Sequence, residues 1–164
     1  MSLLLTLLLG CGLSEDTGEA VAPQAELGTG EWEWADLLDG DEIPVIQGPQ
    51  GGFHLLGSVR VRGLEPGNPD SLGDADNPTT TFEVWVGGEQ VAPTAVYVQG
   101  LEPVLDTGSA WSHEMVGRFA ILDIESDDAL DGVDVEFEVQ VVDVQGVEVR
   151  DVRRLVGVPH PLNN

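Results

Sequence analysis

Nine consecutive residues, Val133 to Val141 (VDVEFEVQV), place an apolar side chain at every odd position and a polar one at every even position. Side chains of an extended chain alternate between two faces, so this stretch has one face for a core and one for water. A helix cannot satisfy that period, because its neighbours recur at three and four residues. Phe53 to Leu64 (FHLLGSVRVRGL) repeats the pattern, with Phe53, Leu55, Val59 and Val61 on one face and His54, Ser58, Arg60 and Arg62 on the other. Thr81 to Val86 does so again, with Phe82, Val84 and Val86 inward. From Glu31 onward, Gly, Pro, Asn and Asp separate such segments and no helical period is sustained. The expected fold class is all-β.

Trp32 to Leu37, Gln90 to Val98 and Met115 to Ile124 are further strand candidates, which gives about seven strands over roughly 130 residues. That spacing suits an antiparallel β-sandwich of immunoglobulin-like or fibronectin-like architecture over residues 31–158, with 159–164 as a frayed tail. The Cys-Trp-Cys arrangement of antibody domains is absent, since the chain has one cysteine. Asp128-Ala129-Leu130-Asp131-Gly132 has the composition of the turn that precedes the penultimate strand of such domains. Val144-Gln145-Gly146-Val147 reads as a two-residue hairpin turn in which Gly146 supplies a positive φ. That register sets Val139 opposite Val152, Val135 opposite Val156 and Glu138 opposite Arg153. It also throws Arg154 onto the core face opposite Phe137, so a bulge is expected between Arg150 and Arg154.

The first eleven residues, MSLLLTLLLGC, carry an apolar run too short to span a bilayer, which takes about 20 residues as a helix. A run of that length ahead of a small residue has the form of a secretory signal, residues 1–10. Leu8-Leu9-Gly10-Cys11 resembles the lipobox of bacterial lipoproteins, which implies cleavage before Cys11 and lipid attachment to its sulfur. No Lys or Arg precedes the run, a departure from ordinary signals. The competing reading is an apolar N-terminal strand with a buried free thiol. With Gly12 after the cysteine, the resemblance implies sorting to the outer membrane. Residues 11–30 then form the lipidated cysteine and an acidic tether of mixed Gly, Ser, Pro and acids, with a coil reach of about 25 Å.

Thirty Asp and Glu against six basic residues, all arginine, give a net charge of −24. That balance disfavours nucleic acid and anionic headgroups as partners. It is compatible with a solvated exterior, with cationic partners or with calcium.

Gly48-Pro49-Gln50-Gly51-Gly52 lacks the spacing and the Lys-Ser or Lys-Thr of a phosphate loop and precedes a strand, which excludes nucleotide binding by that route. It reads as a tight turn that displays Gln50 and His54 as candidate ligand contacts. The three histidines, His54, His113 and His160, have no metal-ligand spacing. Asp70, Asp74, Asp76 and Asn77 space acids and an amide through a Gly- and Pro-rich loop, a composition suited to calcium, although the EF-hand pattern is incomplete. Asp123, Glu125, Asp127 and Asp128 form a second acidic cluster of the same kind. No nucleophile elbow and no lysine occurs, and the single cysteine is taken by the lipobox, so a non-enzymatic chain without a cofactor is expected.

The pieces Leu38-Asp39-Gly40-Asp41-Glu42-Ile43-Pro44 and Gly48-Pro49-Gln50-Gly51-Gly52-Phe53-His54 resemble uncharacterised lipoproteins of Gram-negative bacteria that share a Gly-Pro-Gln-Gly-Gly-x-His element. The resemblance implies an exported, anchored sandwich and no particular activity. The expected function is an interaction or envelope-structural module with a protein or envelope-polymer partner. The alternatives are a calcium-dependent adhesion or matrix-binding domain and a small hydrolase or metal enzyme built around His54.

Overall fold

The computed structural model describes residues 21–163. Cys11, the signal over 1–10 and the tether as far as residue 20 lie outside the described residues. The fold is all-β. Its strands are β1 (Gln24–Gly28), β2 (Glu42–Gln47), β3 (Phe53–Arg62), β4 (Thr79–Val86), β5 (Glu89–Gln90), β6 (Ala95–Val98), β7 (Glu102–Pro103), β8 (His113–Leu122), β9 (Asp134–Val142) and β10 (Glu148–Pro159). A 3-10 turn over Asp127–Leu130 precedes β9, the penultimate strand, where the sequence places a turn.

Hydrogen bonding runs in the order β5-β4-β9-β10-β2-β3-β8-β7, with β1 added to β3 and β6 to β4. The order folds over at β2, where Glu42 to Val45 run parallel to β10 and Ile46 and Gln47 turn antiparallel to β3. One layer is therefore β1-β3-β8-β7 and the other is β4-β9-β10, the strand order of an immunoglobulin-type sandwich. Among the described residues ten strands rather than about seven form it, and the β2–β10 pair makes the sheet mixed.

Between the layers lie the side chains that the alternation assigned inward. Phe53, Leu55, Val59, Val61, Phe82, Val84, Val135, Phe137, Val139 and Val141 are all buried. Phe82 and Phe137 meet with ring centroids 5.9 Å apart. Both rings press on the Cβ-less face of Gly57, where an added Cβ would stand 2.7 Å from Phe82 and 2.9 Å from Phe137.

Several boundaries differ from the sequence reading. Gln24 to Gly28, assigned to the tether, pairs with Ser58 to Arg62 and buries Leu27 completely. Trp32 to Leu37 is not a strand; its one ladder contact is the bridge between Thr29 and Ala35, and Trp34 lies on Gly28 and under the Arg60 guanidinium, 4.4 Å from the ring centre. Gln90 to Val98 divides into β5 and β6 on either side of Pro93, which has no N–H for the ladder. As far as Asn163 the tail is held by hydrogen bonds. Asn163 donates to the Val45 carbonyl at 2.8 Å and to Asp127 at 2.6 Å, and its side-chain oxygen accepts from Gln47 N–H.

The β9–β10 hairpin is shifted by one residue. Asp143 accepts from the N–H groups of Gln145 and Val147, and Gly146, at φ +80°, donates to the Asp143 carbonyl. The loop is thus a three-residue turn closed by Asp143, not a two-residue one. Val139 faces Asp151, Val135 faces Leu155, and Arg153 rather than Arg154 falls opposite Phe137. No bulge is needed, because Arg154 faces Glu136 on the outer surface and pairs with it at 3.2 Å.

That register turns Asp151 and Arg153 inward. They form an ion pair at 2.8 Å with side chains only 18% and 21% exposed. Asp151 also accepts the Leu27 N–H at 2.7 Å, and Arg153 donates to the Leu37 carbonyl at 2.8 Å. The pair ties β10 to β1 and to the chain that follows it.

The bulge lies elsewhere. Between Gly57 and Val59 the pairing of β3 with β8 slips by one residue, and Gly117 of β8 has φ +69°. Its N–H donates to Ser58 Oγ at 3.1 Å, and a Cβ there would lie 2.2 Å from the Glu31 carbonyl oxygen. Only glycine fits that combination of φ and contact.

Candidate functional site

The bulge decides what β8 shows to water. Met115 is buried opposite Val59, so strict alternation would bury residues 117, 119 and 121 as well. The extra residue at Gly117 reverses the faces: Ala120 and Leu122 enter the core, while Phe119 and Ile121 point outward, 49% and 62% exposed. Two large apolar side chains are thereby held in solvent by a feature of the backbone.

Beside them stands the glycine-rich turn. Gly48 N–H donates to the Gly52 carbonyl at 2.7 Å and Gly51 N–H to the Gly48 carbonyl at 3.0 Å, with Gly51 at φ +87°. The turn closes the β2–β3 hairpin, because Gln47 pairs with Phe53 directly after it. His54 follows on the outer face, opposite Ile121, and its ring meets Phe119 edge-on at 4.6 Å. Pro49, Gln50, Gly52, His54, Phe119 and Ile121 enclose a hollow of about 510 Å³. Across the His54–Phe119 ridge a second hollow of about 260 Å³ is bordered by Glu31, Ile46, Leu56, His160 and Asn163.

Gln50 and His54, the two candidates for ligand contact, thus share one wall. Phe119 and Ile121 join them there and Glu31 borders the second hollow, none of the three having been singled out in the sequence, while His160, weighed only as a metal ligand, borders the second hollow too; the signal for Phe119 and Ile121 is Gly117 within an otherwise alternating strand. His160 Nδ1 accepts from Leu162 N–H at 3.2 Å, and His113 lies apart, its Nδ1 3.1 Å from Ser112 Oγ.

Burial lowers the pKa of His54 below 6.5, and the Glu31 carboxylate opposes that shift; burial alone lowers His113. Both imidazoles are therefore neutral in the folded protein at pH 7. As pH falls below 6.5 the unfolded chain takes up protons that the folded chain resists, so stability falls with pH until the depressed pKa values are reached. Melting at pH 7.5 and pH 5.5 is expected to show the lower midpoint at the lower pH, with a smaller difference in a double His54→Gln, His113→Gln variant.

The acidic loop is stitched by its own side chains. Asn77, buried, accepts from Asn68 N–H at 2.8 Å and donates to the Ser71 carbonyl at 2.7 Å. Asp74 accepts from Asp76 N–H at 3.2 Å, and Asp70 N–H donates to Asn68. Asp74 and Asp76 face an open cleft of about 640 Å³ together with Glu65. In the second cluster Asp127 is bonded to Asn163. Among the described residues no three His, Cys, Asp or Glu side chains stand together so as to hold a metal ion. Asn77→Ala is expected to cost about 2 kcal/mol, since it leaves the Asn68 N–H and the Ser71 carbonyl without their partner. The loss, read by denaturant melts, is expected to be equal in calcium and in EDTA.

No protein-family model matches the chain, and a search of curated proteins gives no match.

Proposed function

We propose that this chain is a lipid-anchored, non-enzymatic β-sandwich of the bacterial outer membrane that engages a protein or envelope-polymer partner through the hollow at Gln50, His54, Phe119 and Ile121. The observation that carries the reading is the outward turn of Phe119 and Ile121 by the Gly117 bulge, beside a concavity of about 510 Å³. Exposed apolar side chains around a concave surface are a common signature of a binding site. The hollow is lined by apolar surface, backbone, one amide and an imidazole, a lining that binds and orients rather than one that supplies a nucleophile.

The anchor rests on Leu8-Leu9-Gly10-Cys11. Labelled palmitate is expected to enter the full chain in cells and to be absent from Cys11→Ala, which moves to the soluble fraction; unchanged labelling of that variant would contradict the anchor. A second reading, a calcium-dependent adhesion or matrix-binding domain, rests on the acidic composition of the Asp70 to Asn77 loop. A rise of the melting midpoint in calcium over EDTA supports it, and an unmoved midpoint removes it. A small hydrolase around His54 would draw on Glu31 and His160, which border the same small hollow; ester turnover that survives His54→Ala discounts it.

A further inference from the structure

The occupant of the hollow can be narrowed by charge. Of the six arginines, four form ion pairs and two rest on uncharged partners. Arg60, Arg150, Arg153 and Arg154 pair with Glu114, Glu138, Asp151 and Glu136. Arg62 donates to Gln24 and stands over Trp111, and Arg118 donates to the Val116 carbonyl and stands over Tyr97. Four of the six arginines are thus neutralised by carboxylates, and the surface carries a large excess of negative charge. Neither hollow is bordered by an arginine, and the one charged group at their margin is Glu31.

A second copy of the chain is disfavoured as occupant, because each copy carries a net charge of −24 and two such surfaces repel. An acidic partner is disfavoured for the same reason. The two hollows share His54 and Phe119 as a common wall. A ligand lying across that ridge can place one apolar group on either side. An extended peptide does this naturally, since its alternate side chains point the same way about 7 Å apart.

We infer that the paired hollows bind an extended, cationic peptide segment of a partner protein, whose alternating apolar side chains straddle the His54–Phe119 ridge and whose lysine or arginine faces Glu31 and the surrounding acidic surface. The inference rests on the interaction-module reading above and names the partner's chemistry. The apolar side chains supply the residence at Phe119 and Ile121, and the charges steer the encounter and exclude acidic competitors.

The test is a calorimetric and NMR titration of the full chain with three blocked hexapeptides: alternating leucine and lysine, leucine and glutamate, and serine and lysine. The leucine–lysine peptide is expected to bind and to shift the Ile121 and Phe119 resonances. The other two are expected to bind at least about tenfold more weakly, as is the first peptide to Ile121→Arg. Raising the salt from about 50 to about 300 mM is expected to weaken binding several-fold. Equal binding by the serine–lysine peptide, unaffected by Ile121→Arg, means a diffuse acidic field and overturns the proposal. If the leucine–glutamate peptide binds as well and shifts Ile121, the hollow is a binding site but the cationic class is wrong. Leucine–lysine binding that leaves Ile121 unshifted, or no binding at all, overturns both the inference and the use of this hollow. Concentration-dependent dimerisation abolished by Ile121→Arg would assign the face to a second copy instead. A cationic polysaccharide that competes at Ile121 where the peptide does not would assign it to a polymer.

Discussion

Replacing Gly57 by valine is expected to destabilise the sandwich by about 3 kcal/mol, at the upper end of what overpacking costs in a filled core. A Cβ at this position would fall 2.7 Å from the Phe82 ring and 2.9 Å from the Phe137 ring, and both rings are completely buried with nowhere to retreat. Gly57 is not among the glycines of positive φ, so the loss comes from contact and not from backbone strain. Two consequences separate this cause from others. Gly57→Ala is expected to show the smaller part of the loss, about 2 kcal/mol, and Phe82→Leu in the Gly57→Val background is expected to recover part of it by making room. Guanidinium melts of the four proteins check it. A Gly57→Val protein as stable as the parent would mean that the layers do not meet as described.

Removing the carboxylate of Asp151 is expected to cost about 3 kcal/mol. Asp151 serves two partners, the Arg153 guanidinium at 2.8 Å and the Leu27 N–H at 2.7 Å, and Asp151→Ala strands both of them. An exposed ion pair would be worth well under 1 kcal/mol, but these side chains are about four-fifths covered, so the unpaired charge is the dominant loss. Asp151→Leu combined with Arg153→Leu is then expected to lie nearer the parent than Asp151→Ala does, because no charge is left without its counterpart. Protection of the Leu27 amide from hydrogen exchange reads the same event locally; it is expected to fall in Asp151→Ala far more than the global loss of stability accounts for.

Both residues show how far a one-dimensional pattern reaches. β9 and most of β4 are legible because one face is wholly buried, which forces alternation; β3 departs from it at Leu56, Gly57 and Ser58, all buried beside the bulge, so Ser58 lies inside where the pattern placed it outside, and Val86 is only half-buried. β1 is not legible, because QAELG is short and polar and becomes a strand only through the ladder that β3 offers and the burial of Leu27. β2 carries Pro44, which argues against a central strand, yet it sits where the chain crosses from one layer to the other. The β9–β10 register slipped by one because the Asp143 side chain closes the turn, a capping interaction that outweighs the hairpin pattern of Gln145-Gly146. A single residue then exchanged the roles of Arg153 and Arg154.

The candidate site divides in the same way. Gln50 and His54 were legible from the turn that displays them, whereas Phe119 and Ile121 were not, because on period alone they follow Met115 into the core. Their exposure is a property of the Gly117 bulge and of the Glu31 carbonyl packed against it. Glu31 and His160 reach the site through chain segments remote in sequence, which no local pattern encodes.

On the proposed function, this face and not the sandwich at large meets the partner. A photoreactive phenylalanine placed at position 121 of the full chain in living cells tests it most directly, with position 96 as control. Val96 is 57% exposed, comparable with Ile121 at 62%, and lies on β6, paired to the opposite layer. A discrete adduct is expected from position 121, lost when Phe119 is also replaced by serine, and none from position 96. Adducts of equal yield from both positions, or from position 96 alone, would contradict it.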